Sequence, residues 1–191
     1  GVAQSSVGPS EAPAIADLTV TGVTSRPEFS KSFSPSSVPF GGRSRLTLTI
    51  DNSANGAIAA NLTVTDNLPR GMVIASPAKA STTCTGGVIG ASPGGSVLSY
   101  GPNFSDTVFN DPTVGAGETC VVEVDVIGNA VGALVNTTGE LTSTGQFGGT
   151  PVSSGTASAT LTVVSLGDTF LTKSFSDDPV APGDTVTLAF R

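Results

Sequence analysis

Hydrophobic and polar positions along this chain alternate with a period of two, in short runs separated by turn-forming residues. Arg45-Leu46-Thr47-Leu48-Thr49-Ile50 sets Leu46, Leu48 and Ile50 on one face and polar side chains on the other. Asn61-Leu62-Thr63-Val64-Thr65 does the same with Leu62 and Val64. Over residues 120–126, Cys120, Val122, Val124 and Val126 share a face, which leaves Glu123 and Asp125 toward water. Ala159-Thr160-Leu161-Thr162-Val163 closes the series. Clusters of Gly, Pro, Asn and Asp at 39–42, 51–56, 67–71, 86–95 and 101–112 punctuate these runs. The pattern predicts an all-β chain. An antiparallel sheet with one wet face needs a second sheet over the other, so a β-sandwich is expected rather than a barrel.

Composition narrows the function classes. The 191 residues include no His, no Trp, one Tyr and two Cys. Without His there can be no His-dependent triad, His-ligated zinc or His-ligated haem. Eight Lys plus Arg against fifteen Asp plus Glu give a net charge of −7, which lacks the electrostatic footprint of a nucleic-acid binder. No apolar run approaches the ~20 residues of a membrane-spanning helix, so no membrane insertion is expected in this segment. A charged, then apolar, leader is also absent at the start, and an export signal is expected to have been removed or to lie outside this piece. The 49 Ser plus Thr carry the polarity through hydroxyls instead of ions.

An internal repeat organises the chain. Residues 31–48, KSFSPSSVPFGGRSRLTL, and residues 173–190, KSFSDDPVAPGDTVTLAF, share seven of eighteen positions at an offset of 142. ADLTV at 16–20 likewise resembles ATLTV at 159–163. The expected division is residues 1–22 as the terminal strand of a preceding repeat or an exchange segment, and 23–165 as one complete repeat. Residues 166–191 would then be the first strands of a following repeat, or a donor-strand segment. Chance similarity in a low-complexity chain is the alternative.

The motifs FSKSFSPSSVPFGGRSRLTLTIDN, LTVTDNLPRGMVI, GAGETCVVEVDV and GALVNTTGELTS follow one another over residues 28–164. In that order they resemble the domain-of-unknown-function-eleven family of bacterial surface repeats. The resemblance implies immunoglobulin-like sandwiches in tandem on large secreted or cell-surface proteins. It implies a structural or adhesive fibre and names no substrate.

Only three Lys occur, at 31, 79 and 173. Lys31 lies between Phe29 and Phe33 at strand spacing, and Lys173 repeats this between Leu171 and Phe175, so both are expected on core-facing positions. A buried ammonium needs compensation. Asp66 extends the inward set of Leu62 and Val64, and Asn136 is in phase with Leu134 on a late strand. Asn61 and Asn67 are alternatives to Asn136. Burial favours the neutral forms of Lys and Asp, giving a nucleophilic amine beside an acid able to polarise a carboxamide. Such a trio can form an amide crosslink between the first and last strands, with Asp66 in the catalytic part, as in isopeptide-containing adhesin repeats. The competing reading is a buried Lys31–Asp66 ion pair with Asn136 hydrogen-bonded nearby.

Cys84 and Cys120 read as a disulfide in an exported chain, or else as two buried thiols. Asn61, Asn103 and Asn136 each open a glycosylation triplet, and Asn103, in an expected loop, is the best placed. Asp51-Asn52, Asp177-Asp178 and Asp184 could face calcium between repeats, although ordinary turn roles account for them and no ordered ligand loop is visible. No cofactor or metal is expected, and no nucleophile has a base beside it. Two functions remain. One is a non-enzymatic structural module of an extracellular fibre, filament or stalk, whose partners are head-to-tail copies or repeats of itself. The other is an adhesin domain whose loops bind a glycan or host protein, against which the scarcity of Tyr and Trp counts.

Overall fold

The computed structural model describes residues 26–103, 110–145, 148–167, 172–176 and 179–190. The strand expected at 16–20, Leu171 and the Asp177-Asp178 pair lie outside the described residues. In chain order the elements are β1 (Glu28–Ser34), β2 (Ser37–Pro39), β3 (Arg43–Asp51), β4 (Ala59–Asn67) and β5 (Met72–Ile74). There follow β6 (Ser81–Thr82), β7 (Val88–Ala91), β8 (Val97–Gly101), β9 (Thr119–Gly128) and β10 (Gly132–Thr137). The last are β11 (Thr142–Gly145), β12 (Gly148–Ser153), β13 (Ser158–Val164), β14 (Lys173–Phe175) and β15 (Leu188–Phe190).

One layer has the order β1-β3-β9-β5, with β6 also on β9. The facing layer runs β12-β11-β4-β8-β7, and β10-β13-β2 closes the side between the two. β10 and β11 are halves of one strand broken at 138–141: the first half pairs with β13 and the second with β4. The Gly139 amide, donated to Thr65 O at 2.8 Å, keeps the break against β4. This is an immunoglobulin-like sandwich. Strands β1, β3, β9 and β5 take the places A, B, E and D, and β4, β10/β11 and β13 take C, F and G, whereas β8 lies on the edge of β4 but follows β5 in the chain, where a C′ strand would precede it. β2 continues β1 and crosses to pair in parallel with β13.

Alternation puts the core where the pattern placed it. Leu46 faces Val124, Leu48 faces Val122 and Ile50 faces Cys120 across β3 and β9, and all are buried. From the other layer come Leu62, Val64, Leu98 and Tyr100. Each fully buried aliphatic side chain contributes roughly 1.5–3 kcal/mol, so these buried rows dominate the stability of the sandwich. The glycine cluster 86–95 is not only a turn, because it contains β7. Gly86 and Gly87 both take positive φ, and a Cβ on Gly87 would stand 2.8 Å from the Tyr100 ring. The bare backbone therefore lies on Tyr100, whose hydroxyl donates to Gly86 O at 2.9 Å.

Candidate functional site

Three buried polar side chains meet inside this apolar interior. On β1 the even positions face out and Lys31 and Phe33 face in. Register sets Lys31 opposite Leu48, which is itself opposite Val122, so the lysine occupies a core row. Asp66 ends the inward series on β4, opposite Leu98 on β8. Asn136 points inward from β10, with Ala159 of β13 opposite. The Lys31 and Asp66 side chains are both 0% exposed. Lys31 Nζ donates to Asp66 Oδ2 at 2.7 Å, and Asn136 Nδ2 donates to the same oxygen at 2.9 Å. One carboxylate oxygen thus holds the amine and the carboxamide side by side. The strand carrying Asn136 is the one beside the last strand of the sandwich. The residues expected to join the first and last strands thus lie on β1 and on β10, the neighbour of the last sandwich strand β13.

Burial works against the charge on Lys31. Burial pushes the Lys31 ammonium below its ordinary range, against the opposing hydrogen bond and charge of Asp66. Asp66 Oδ1 and Asn136 Oδ1 are buried and have no hydrogen-bond donor. Each such acceptor costs about 1–3 kcal/mol.

The remaining residues singled out from sequence divide clearly. Cys84 and Cys120 form a disulfide, joining the strand-free segment after β6 to β9. Lys173, expected on a core-facing position, is exposed, with Nζ 5.7 Å above the Phe175 ring. Asn136 is buried, so its triplet cannot carry a glycan. Asn61 takes φ 51° on β4, and Asn103 is half-buried in a bridge with Asn110. Asp51 and Asn52 serve their own turns. Asp51 Oδ1 accepts from the Ser53 amide and the Thr119 hydroxyl, and Asn52 donates to Ala57 O and Gly115 O at 2.8 Å. Asp184 Oδ2 accepts from the Ala181 amide. Among the described residues no group of three Cys, Asp or Glu is placed to hold a metal.

A charged cluster on the outer face of the first sheet escaped the sequence reading. Arg45 donates to Asp125 Oδ1 at 3.1 Å and to Glu123 Oε2 at 3.0 Å, and also to Ser81 and the Lys79 carbonyl. Its signal was available: Arg45 is outward on β3 opposite Asp125 on β9. An open depression of about 330 Å³ lies over β4, β7 and β8, lined by Thr63, Thr65, Val88, Ser99 and Asn103 around the buried Tyr100. Among the described residues no helix is long and apolar enough to cross a membrane.

Fold and interior together define an immunoglobulin-like sandwich with a buried Lys–Asp–Asn cluster and one disulfide. The chain belongs to the family described as Domain of unknown function (DUF7933), whose model matches residues 27–163. That family, and not the domain-of-unknown-function-eleven family, is the one matched. No curated protein matches the chain.

Among solved structures, a cohesin module from a Clostridium perfringens family 33 glycoside hydrolase aligns at 10% identity and a TM-score of 0.49. The alignment covers 74% of this chain and 99% of that one. A collagen-binding domain from a Staphylococcus aureus adhesin aligns at 12% identity and 0.46, with the same coverage. The major pilin subunit of Bacillus cereus aligns at 11% and 0.47, over 78% of this chain and 41% of that one. The fold assignment itself rests on the strand pairing above.

Proposed function

We propose that this chain is a structural module of an extracellular fibre, filament or surface stalk, closed by an amide bond between Lys31 and Asn136. The observation that carries this reading is that Lys31 Nζ and Asn136 Nδ2 share Asp66 Oδ2 in a core from which water is excluded. In the dry interior a proton passes from Nζ to Asp66, leaving a neutral amine and a carboxylic acid. The acid polarises the Asn136 carboxamide, and the Nζ lone pair attacks Cγ. The Cγ–Nδ2 bond breaks, Asp66 relays the proton taken from Nζ to Nδ2, and ammonia leaves. One Lys–Asn amide and one ammonia are formed from one amine and one carboxamide, with no oxidant or cofactor. The reaction occurs once per molecule, so it is maturation and not turnover.

The disulfide supports placement in an oxidising compartment outside the cytosol. Hydroxyl-rich outer faces and a closed core suit a part that persists and spaces other parts. Intact-mass measurement of the reduced, unfolded chain tests the reading. The expected mass is one ammonia below the sequence mass, and Asp66→Ala should restore it. A wild-type mass with no deficit leaves an ion pair and removes the proposal.

A further inference from the structure

β14 and β15 form a hairpin separate from the sandwich, and its geometry repeats β1 and β3 position by position. Lys173 pairs with Phe190, Ser174 with Ala189 and Phe175 with Leu188. Subtracting the repeat offset of 142 gives Lys31 with Leu48, Ser32 with Thr47 and Phe33 with Leu46, which are the observed pairs of β1 and β3. The turns agree as well. Gly41 and Gly183 both have positive φ, 76° and 99°. The Gly42 amide donates to Pro39 O at 2.7 Å, and the Asp184 amide donates to Ala181 O at 3.1 Å. Seven identities in eighteen do not dictate a common register, turn bond and glycine conformation, so these are separate observations.

The ladder is shorter, three rows against seven, and burial differs at the equivalent positions. Phe33, Val38 and Leu46 are 7%, 3% and 0% exposed, whereas Phe175, Val180 and Leu188 are 52%, 46% and 38% exposed. An isolated two-stranded hairpin is marginal in water. This one also presents the side chains of a sandwich interior to solvent.

We propose that residues 173–190 are the first hairpin of a second immunoglobulin-like sandwich of this same fold, and that Lys173 is the amine of a second crosslink within it. The occupant of the bare face is the set of strands equivalent to β4, β9, β10 and β13. The register identifies that occupant: a face built to the pattern of β1 and β3 fits what covers β1 and β3 here. Opposite Lys173 such an occupant presents an acid and an Asn, as Asp66 and Asn136 do for Lys31. The crosslinking half of this inference rests on the reading of Lys31 above, whereas the domain half does not.

The test appends a second copy of residues 50–165 after Arg191, which continues the repeat in phase. Hydrogen exchange and intact mass are read on the extended and the 191-residue chains. In the extended chain, hairpin amides should exchange on the order of 100-fold more slowly. Its mass should fall short by two ammonias, and Lys173→Ala should return the deficit to one. Unchanged exchange at 173–190 overturns the domain half, whatever the mass. Protected amides with a deficit of one, insensitive to Lys173→Ala, overturn the crosslink half.

If the extended chain does not fold, a control with residues 31–48 in place of 173–190 decides the matter, because folding of the control alone also overturns the inference. So does a 191-residue chain that dimerises through this face and becomes monomeric on Phe175→Ser with Phe190→Ser. In that case the occupant is a second copy.

Discussion

Replacing Lys31 by Met and Asp66 by Leu together separates covalent from ionic stabilisation in a single measurement. If the pair is only ionic, exchanging two buried charges for apolar groups of similar volume is neutral or stabilising by about 1–4 kcal/mol. Asn136 Nδ2 then loses its acceptor, which costs about 1–3 kcal/mol, so the net change is near zero. If the amide forms, its removal also releases a constraint between positions 105 apart in the chain. Loop entropy values a crosslink over ~100 residues at about 4.7 kcal/mol.

The Cys84–Cys120 bridge, with its separation of 36, lies inside this loop and shortens it. The dependence is logarithmic, so that correction is only a few tenths of a kcal/mol. The double variant should therefore unfold roughly 4–5 kcal/mol more easily than wild type. With a slope near 2 kcal/mol/M, that is a urea midpoint lower by about 2 M. Lys31→Met alone does not discriminate, because an orphaned buried Asp66 costs about 3–5 kcal/mol under either description. A double-variant midpoint equal to or above that of wild type refutes the covalent reading.

Cys84→Ala with Cys120→Ala should lower stability by about 3–4 kcal/mol and the melting temperature by roughly 10 °C in calorimetry, with no change in the ammonia deficit. Gly71 has φ +90°, and an added Cβ would stand 2.4 Å from Ala130 Cβ, so Gly71→Ala should cost roughly 1–3 kcal/mol in chemical denaturation. The hydrogen bond from Arg45 holds the Glu123 carboxyl below the usual carboxylate range. Its contribution is therefore present above the unfolded value near 4.5 and is lost as pH falls through the lower folded value. Acid titration of Glu123→Gln should show a shallower loss over that interval than wild type. An identical slope would mean that the Arg45–Glu123 pair contributes nothing.

The parts of the fold legible in sequence were those governed by local alternation. Strands β3, β4, β9 and β13 follow from period-two runs, and the same parity aims Lys31, Asp66 and Asn136 inward, since a strand gives each residue only two faces. What alternation cannot supply is pairing between distant segments. β2 is three residues long and is held by a parallel partner more than a hundred positions away. The split of one strand into β10 and β11, with a different partner for each half, has no local signature either. β7 escaped because its glycine-rich surroundings read as turn, although the glycines are there to let backbone lie on Tyr100. Lys173 shows the limit most directly: parity is a property of its own strand, but burial also requires a cover.

The parallel pairing of β2 with β13 fixes where the chain enters and leaves the sandwich. β2 carries on in the direction of β1, so the first residue of β1 and the last of β13 lie at opposite poles. Between them the chain runs through β1, bends at 35–36 and passes into β2, whose last residue Pro39 lies opposite Val164, the last of β13. A pull on the two ends would therefore act along the strands, loading all the slanted β2–β13 hydrogen bonds in shear at once instead of opening them one by one. Antiparallel neighbours joined at one end would peel like a zipper under the same force. In this sandwich the weakest direction is turned away from the line that joins its ends.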